Sequence, residues 1–278
     1  MAETNPRAVR LDADNVAVVI PALNEELRIR GVVEDALAHA RHVIVIDDGS
    51  TDATCERIAD LPVILLRHET RRGKGASLRD GFAEALRRGF AAAVTMDGDG
   101  QHAGSDIPRL IDAANRYPGH IVIGARIRKR TLQPTYRRLA NEFGDWGIAW
   151  GCGYRICDTQ SGQRVYPAAV MALQDVPGED FVFEAQILIS AARDLGTRVV
   201  SVPIESRYQC ADSPAQFRKS HFHPLRDLWR ITSHVVTQVL GHGGLLAQYR
   251  SIRRNPPLID DPLGEFSRPS SQPHARTP

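Results

Sequence analysis

The sequence predicts an α/β protein, a single domain whose mostly parallel sheet is flanked by helices on both faces. Three observations predict this fold class. Short apolar runs rich in β-branched residues alternate with helical patterns, which is typical of sheets with helical crossovers. The runs are apolar throughout, as expected for strands buried on both faces. Acidic residues and glycines follow several runs directly, and ligands bind at the carboxyl ends of the strands in such sheets.

Five apolar runs in the first half of the chain predict buried strands. In order they are NVAVVIPALNEE, HVIVIDDGS, LPVILLRHE, FAAAVTMD and HIVIGAR. Between them we expect a helix that ends near His39, a short helix in TDATCERIAD and a helix over residues 107–117. Another helix is expected after the third run, where apolar residues share one helical face: Leu78, Phe82, Ala85 and Leu86.

The pattern loosens after residue 135. The sequence predicts a helix over residues 136–150, a turn-rich stretch GCGYRICDTQSGQRVYP, a helix over residues 181–195 and a strand in TRVVSVPIE. Residues 222–240 predict an amphipathic helix, and the prolines and small polar residues from 254 onward predict disorder. The predicted organisation is an N-terminal extension (1–13), a main domain (14–210), a basic amphipathic helical segment (211–253) and a disordered tail (254–278).

Composition excludes several classes of protein. The formal net charge of the 278 residues is only +2, so a global nucleic-acid-binding field is not indicated, and we expect no nucleic-acid partner. The four cysteines form no CxxC pair, which favours reduced thiols and a cytoplasmic location. The N-terminus lacks the apolar core of a secretory signal, and no stretch approaches the roughly 20 apolar residues that span a bilayer. Any membrane contact is therefore expected to be peripheral.

The stretch VTMDGDGQH places two carboxylates, Asp97 and Asp99, directly after the fourth predicted strand. Carboxylates on alternate residues can hold a divalent cation, and Gln101 can add a carbonyl oxygen. Such a hard oxygen set suits Mg²⁺ or Mn²⁺ and leaves coordination positions for substrate phosphates. Gly98 and Gly100 would let a ligand approach the backbone closely. The alternative is an acidic turn that binds nothing.

Three other interpretations of the glycine-rich motifs are weaker. An EF-hand counted from Asp97 requires glycine and glutamate where the chain has His102 and Pro108. RRGKGAS lacks the first glycine of a Walker loop and the hydroxyl residue after its lysine. A dinucleotide fingerprint is formally present from Gly98 to Ala103, but it follows the fourth strand and carries two carboxylates that would repel a pyrophosphate.

Two further motifs are expected at the same edge of the sheet. VIDDGSTDAT (residues 45–54) is either an Asx turn before a helix or an acid that binds a ribose or nucleobase. RRGKGAS is either a basic surface loop or a mobile cationic loop that covers phosphates. Together with the carboxylate pair, these motifs predict a nucleotide-diphosphate site.

Seven motifs, taken in order, resemble the family 2 inverting glycosyltransferases of the GT-A fold. They are VVIPALNEE, VIVIDDGSTDAT, RRGKGASLRDGF, VTMDGDGQH, VIGAR, DTQSGQRVY and VPIESRY, within residues 14–208. Within that family the chain is most similar to the dolichol-phosphate mannosyltransferases and the bacterial polyprenyl-phosphate glycosyltransferases. The resemblance implies a Rossmann-like GT-A catalytic domain over residues 14–210.

The resemblance also implies roles for individual residues. The nucleoside would be cradled by Pro21, Ala22, Glu25, Ile46 and Asp48, with Lys74 nearby. The metal on the donor diphosphate would be held by Asp97, Asp99 and Gln101, and Gly98 between them would widen the sugar pocket. The acceptor phosphate would be received by Arg126 and Arg137, with Asn141 where the family has serine. The donor phosphates would be covered by Arg207 and Lys219.

The implied activity is metal-dependent transfer of a sugar, with inversion, from a UDP- or GDP-sugar to a polyprenyl phosphate. Asp158 and Ser161–Gly162 would shape the floor of the acceptor site or simply form a tight turn. One alternative is transfer to a hydroxyl of a saccharide or lipid, which requires a general base, and Asp180 or Glu179 is then the candidate. Another is a sugar-nucleotide-binding module without catalysis. The basic stretch FRKSHFHPLRDLWRI would lie on the inner face of a membrane or pack on the catalytic domain.

Overall fold

The computed structural model describes residues 9–126, 135–173, 176–178, 180–204, 237, 245–262 and 264, without the side chains of 135–143, 180–181 and 245–247. Its strands are β1 (Val16–Ala22), β2 (His42–Asp47), β3 (Ile64–Arg67), β4 (Ala92–Thr95), β5 (Ile121–Ala125), β6 (Arg164–Pro167), β7 (Val199–Pro203) and β8 (Leu258–Ile259). Its helices are α1 (Ile29–Leu37), α2 (Lys74–Arg87), α3 (Ile107–Arg116), α4 (Thr135–Cys152), α5 (Ala168–Met171), α6 (Asp180–Asp194) and α7 (Leu245–Arg254). Short 3₁₀ turns lie at Glu56–Ile58, where a short helix was predicted, and at Gly104–Asp106.

The described strands form one eight-stranded sheet in the order β3-β2-β1-β4-β6-β5-β7-β8. Every neighbouring pair is parallel except those that involve β6, which runs antiparallel to both β4 and β5. The predicted α/β class with a mostly parallel sheet is confirmed. β6 corrects the sequence analysis, which placed only turns there. Its four residues are too few to show a pattern, and the strand exists because Val165 pairs with Val94 on one side and Val122 on the other.

Alternation along the strands builds a separate core on each face of the sheet. In β1, Val16, Val18 and Ile20 face α1 and α3, while Ala17 and Val19 face α2 and α6. All five residues are at most 1% exposed. This division follows from the two-residue period of a strand, and it explains why the strand runs are continuously apolar.

Helix α2 approaches the sheet closely because Gly81 lies at its contact with β1 and β2. A Cβ atom at position 81 would stand 2.5 Å from Cγ1 of Val19 and 2.8 Å from Cδ1 of Ile46. The first residue of α2 is Lys74, so the depth of this contact also sets how far Lys74 lies from the carboxyl ends of the strands.

The residues after Arg254 extend the sheet. Leu258 and Ile259 pair in parallel with Val200 and Ser201 of β7, and the next residue, the buried Asp260, forms an ion pair with the half-exposed Arg116 of α3. The prediction of disorder from residue 254 was therefore wrong for this stretch, because pairing with β7 and the ion pair outweigh its prolines. The predicted helix over residues 222–240 lies outside the described residues, except for residue 237. No helix in the described part of the chain is long and apolar enough to cross a membrane.

The topology collects polar residues at one edge of the sheet. β1, β2, β4 and β5 are parallel, so their carboxyl ends lie together. Because β6 is antiparallel, its amino end reaches the same edge, where Arg164 pairs with Thr95. Loops from both halves of the sequence therefore meet beside the acidic motifs.

Candidate active site

A lysine lies between two carboxylates at the end of β4. Nζ of Lys74, at the start of α2, is 2.7 Å from Oδ1 of Asp97 and 3.1 Å from Oε2 of Glu184 on α6. About a quarter of the Lys74 and Asp97 side chains is exposed, and Glu184 is more deeply buried. Three elements that are distant in sequence thus bring one positive and two negative charges into contact.

The pKa values of the two carboxylates in the DGDG turn are shifted in opposite directions. Burial alone would raise the pKa of Asp97, but the charge of Lys74 and a contact with His102 hold it well below its ordinary value. The pKa of Asp99 is raised, first by burial and then by the nearby charge of Asp97. Asp97 is therefore ionised, and Asp99 lies in a field that favours any added positive charge.

The Asp97 carboxylate packs against Gly162 in the loop that precedes β6. A Cβ atom at position 162 would stand 2.2 Å from Oδ2 of Asp97, so only glycine fits there without movement. Thr95 fixes this loop, because its hydroxyl donates to the carbonyl oxygen of Gly162 at 2.7 Å. Nε2 of the buried His102 lies 3.5 Å from Oδ2 of Asp97.

The donor set fits a divalent ion of the Mg²⁺ type. The described residues contain no group of three His, Cys, Asp or Glu side chains arranged to hold a metal. An ion here would be held by Asp97 and Asp99 and would complete its shell with Gln101, water and phosphate oxygens, as Mg²⁺ commonly does. Gln101 is exposed, and the like-charge repulsion that contributes to the raised pKa of Asp99 would be relieved by such an ion.

Asp48 organises the loop that carries Lys74. One of its oxygens accepts a hydrogen bond from the backbone N–H of Arg72 at 2.8 Å, and the other from that of Gly73 at 2.9 Å. Asp48 as a whole residue is 4% exposed. The sequence resemblance assigned Asp48 to the nucleoside; the structure places it beneath the RRGKG loop, where it holds Gly73 and thereby the start of α2.

His68 connects Asp48 to the surface. Its Nδ1 lies 2.8 Å from Oδ1 of Asp48, and its Nε2 lies 2.9 Å from Oδ2 of Asp80 on α2. Each ring nitrogen therefore faces one carboxylate, which fixes the orientation of the ring between Asp48 and Asp80. Nη1 of Arg72 donates to the same Asp80 oxygen at 2.7 Å. The result is a charged network that holds the loop at both ends.

Three of the residues predicted to cradle the nucleoside lie at the end of β1 or just after it: Pro21, Ala22 and Glu25. A Cβ atom at position 98 would lie 3.3 Å from the carbonyl oxygen of Pro21 and 3.5 Å from Cγ of Glu25, so Gly98 brings the DGDG turn against this segment. Ile46 differs, because its side chain is fully buried beneath Gly81 of α2. The whole residue is buried, and it pairs with Pro21 of β1 and Leu66 of β3 within the sheet.

Arg126, predicted to receive the acceptor phosphate, is oriented by Asp158. Its Nε and Nη2 donate to the two Asp158 oxygens at 2.8 and 2.9 Å, and its backbone N–H donates to one of them at 2.8 Å. Asp158 has a φ of +54°, an uncommon conformation for a residue other than glycine. The neighbouring Thr159 donates from its backbone N–H and its hydroxyl to Asp145 of α4, both at 2.7 Å. The DTQSGQ stretch is therefore a turn held in place by side-chain hydrogen bonds.

The remaining predicted residues are described only in part. Arg137 and Asn141 lie in α4, and Asp180 begins α6, but their side chains are outside the described residues. Glu179, Arg207 and Lys219 also lie outside them.

Two residues of this site were missed by the sequence analysis. Glu184 was missed although a lone acid in the apolar helical stretch FVFEAQILISAA is a recognisable sign of a polar contact. Arg164 is 2% exposed and donates to the carbonyl oxygens of Thr159, Ser161 and Glu184 and to the hydroxyl of Tyr166. It therefore joins the turn below Asp97 to the helix that carries Glu184.

The family of this protein follows from a comparison of its sequence with models of known protein families. The family profile described as glycosyl transferase family 2 matches residues 17–167, more than half of the chain. The chain belongs to glycosyl transferase family 2. The matched region runs from β1 to β6 and contains both acidic motifs, so the resemblance inferred from the motifs is confirmed, and the protein is a glycosyltransferase.

Relatives within family 2 include enzymes named for polyprenyl phosphates. An undecaprenyl-phosphate mannosyltransferase of Micrococcus luteus is 31% identical over 203 residues, 68% of this chain and 82% of the relative. A polyprenol monophosphomannose synthase of Mycolicibacterium smegmatis is 31% identical over 215 residues, 72% and 80% of the two chains. A UDP-N-acetylglucosamine–dolichyl-phosphate N-acetylglucosaminyltransferase of Methanococcus voltae is 28% identical over 217 residues, 69% and 86%.

Solved structures of other glycosyltransferases share the fold. Glucosyl-3-phosphoglycerate synthase from Mycobacterium tuberculosis, crystallised with Mn²⁺, UDP and glucosyl-3-phosphoglycerate, superposes with a TM-score of 0.55 at 22% identity. The superposition covers 82% of this chain and 79% of that chain. At this identity the likeness concerns the fold alone, and it confirms the GT-A class.

Proposed function

We propose that this glycosyltransferase moves a sugar from a UDP- or GDP-sugar to a polyprenyl phosphate, with inversion and with a Mg²⁺ or Mn²⁺ ion. The observation that carries the proposal is the contact of Asp97 and Lys74 beside Asp99 at the carboxyl edge of the sheet. Two carboxylates and one ammonium group there form a site for a metal and a diphosphate. The names of the Micrococcus and Mycolicibacterium relatives support the acceptor class.

The donor's diphosphate would lie between the DGDG turn and the start of α2. Asp97, Asp99 and Gln101 would hold the ion, which when bound neutralises the charge that develops on the leaving diphosphate. Lys74 offers a second positive charge and stands at the first position of α2, and helix N-termini favour phosphate groups. The Mn²⁺ and UDP in the Mycobacterium tuberculosis structure support this arrangement.

The nucleoside would lie at the end of β1, against Pro21, Ala22 and Glu25. Ile46 would support this segment from within the sheet, since the whole residue is buried. Asp48 would act by holding Gly73 and the RRGKG loop over the nucleotide. In this proposal the loop closes over the phosphates while Asp48 remains its anchor.

The acceptor would approach Arg126, whose guanidinium group is held by Asp158. A phosphate monoester is already an anion at neutral pH, so it attacks the anomeric carbon without a strong general base. The residues at the acceptor site then position the phosphate oxygen in line with the leaving group, and Arg137 and Asn141 of α4 are candidates for this task. Since the acceptor is a lipid, the site must reach a membrane surface, for which the basic segment 211–253 is the candidate.

A second acceptor class is favoured by the position of Asp180. It begins α6, about one helical turn before Glu184, which reaches the Lys74–Asp97 pair. An acid at this place would serve as the general base for a hydroxyl acceptor. Replacement by asparagine separates the two candidates, because it should reduce transfer to a hydroxyl strongly and transfer to a phosphate little.

The test is release of nucleoside diphosphate from a panel of UDP- and GDP-sugars, with Mn²⁺ and a short-chain polyprenyl phosphate. We expect release only when donor, acceptor and ion are all present, and an inverted anomeric configuration in the product by NMR. Asp97→Asn should abolish turnover, whereas Asp60→Asn, at an exposed surface ion pair, should not. Transfer to saccharide hydroxyls but not to the lipid phosphate would overturn the acceptor assignment.

A further inference from the structure

The ammonium group of Lys74 is shared by two carboxylates with different positions in the proposed mechanism. Asp97, 2.7 Å away, is one of the two proposed metal ligands. Glu184, 3.1 Å away, projects from α6 and lies outside the DGDG turn. Lys74 therefore links the metal position to a carboxylate to which the proposed function assigns no task.

A divalent ion and the ammonium group cannot share Asp97 in this geometry at low energy. Both cations would contact one carboxylate group and would therefore lie close to each other. Two cations so close repel strongly in a partly buried site. Lys74 also stands at the first position of α2, where the helix dipole disfavours a cation. Its side chain is three-quarters buried, so it needs a carboxylate partner wherever it moves.

Glu184 is fixed well enough to be that partner. Its carbonyl oxygen accepts a hydrogen bond from Nη1 of Arg164 at 3.1 Å, and Nη2 of Arg164 lies 3.9 Å from its Oε1. The residue is 9% exposed, and α6 packs against α2, which carries Lys74. Because Lys74 already lies 3.1 Å from Glu184, it keeps a carboxylate partner when it leaves Asp97.

We propose that Lys74 is the resident counter-ion of Asp97, that a divalent ion must displace it, and that Glu184 is the positioning residue that keeps the displaced ammonium group in the site. The inference rests on the proposed function, in which Asp97 binds the ion and Lys74 then faces the donor's diphosphate. In this inference Glu184 increases the affinity for the metal ion, because it lowers the free energy needed to move Lys74 away from Asp97.

The test measures binding of Mn²⁺ alone, without nucleotide, from the electron paramagnetic resonance of the free ion. The proteins are the wild type, Lys74→Met, Glu184→Gln and the double variant. Lys74→Met should bind Mn²⁺ about tenfold more tightly, because the competing cation is gone, and Glu184→Gln should bind it several-fold more weakly. In the Lys74→Met background, Glu184→Gln should weaken binding clearly less, since only its direct charge effect is left.

A matched control is Arg87→Met, which removes a positive charge from the same helix. Arg87 is exposed and pairs with Glu84, not with Asp97, so the affinity for Mn²⁺ should change little. Thermal unfolding checks each variant, and Glu184→Asp, which withdraws the carboxylate from Lys74, takes the place of Glu184→Gln if the latter does not fold. Its expected effect has the same sign.

Two results would overturn the inference: unchanged or weaker Mn²⁺ binding in Lys74→Met, or an equal effect of Glu184→Gln in both backgrounds. Absence of Mn²⁺ binding in all four proteins would overturn it together with the metal part of the proposed function. Failure of the proposed transfer reaction alone looks different. The wild type would then release no nucleoside diphosphate with polyprenyl phosphate, while the order of the Mn²⁺ affinities would stand.

Discussion

Gly162 lies directly behind the Asp97 carboxylate, so close that a Cβ atom at position 162 would stand 2.2 Å from Oδ2 and 2.6 Å from Cγ of Asp97. The antiparallel strand β6 produces this relationship, because it brings its amino end to the edge where the parallel strands end. The position of Asp97 therefore depends on the absence of a side chain in a loop 65 residues later.

Gly162→Ala should displace the Asp97 carboxylate and impair the enzyme. A misplacement of about 1 Å in a reacting group can reduce turnover about a hundredfold, and we expect at least that loss in kcat/KM. The added methyl group should cost only about 1–3 kcal/mol of stability. Steady-state release of nucleoside diphosphate and urea unfolding measure the two effects separately.

The control for that variant is Gly31→Ala in α1. A Cβ atom at position 31 meets nothing within 4 Å, so alanine should stabilise the helix by about 0.5–1 kcal/mol and leave turnover unchanged. Full activity in Gly162→Ala would show that Asp97 tolerates displacement, and the assignment of Asp97 as a metal ligand would then lose its geometric support.

Arg164→Met should destabilise the protein by about 3–5 kcal/mol, because four buried acceptors lose their donor together. Chemical denaturation gives the free energy of unfolding. Arg87→Met is the matched control: Arg87 is 66% exposed and pairs with Glu84 on the surface of α2, so the unfolding midpoint should not move. Equal effects of the two substitutions would contradict the structural role of Arg164.

Asp48→Asn should loosen the RRGKG loop. An asparagine has one carbonyl oxygen, so its amide nitrogen would face either the N–H of Gly73 or the group of donors from Arg72 and His68. We expect the amides of Arg72 and Gly73 to exchange with deuterium at least about fivefold faster. Asp60→Asn supplies the comparison at an exposed site. Unchanged exchange at both amides would mean that the loop is held by other contacts.

Cys55 and Cys152 should resist alkylation in the folded protein. Burial, followed by the hydrogen bond from the thiol to Asp47, raises the pKa of Cys55 to about 12, and burial raises that of Cys152 to about 12. The thiolate is the reactive form, and it would be about one part in ten thousand at pH 8. Mass spectrometry after iodoacetamide treatment should find these two cysteines labelled only in urea. Equal labelling rates in native and unfolded protein would refute the shifts.

The sequence was sufficient for the strands that are long and buried on both faces. β1, β2 and β5 are almost continuously apolar, as expected for strands whose two faces are both buried. β6 and β8 have four and two residues, and what makes them strands is pairing with neighbours, which local composition does not record. The same holds for Asp260, whose ion pair with Arg116 anchors a stretch that composition alone predicted to be disordered.

The site shows a similar division. The sequence analysis correctly expected one edge of the sheet to carry Asp97, Asp99 and Arg126. The alternation of strands and helices predicts parallel strands, and the carboxyl ends of parallel strands share one edge. The contacts of Lys74 with Glu184 and of Asp97 with Gly162 join segments about 65 to 110 residues apart. They depend on the antiparallel insertion of β6 and the packing of α6 on α2, neither of which has a local signature.

Crystals grown with Mn²⁺ and a nucleoside diphosphate test the central claim most directly, because the anomalous scattering of manganese locates the ion without assumptions about the mechanism. The account predicts one strong anomalous peak bridging the carboxylates of Asp97 and Asp99 to the diphosphate, with Nζ of Lys74 moved off Asp97. A bound nucleotide with no manganese beside those two carboxylates, or with Lys74 still paired to Asp97, would contradict it.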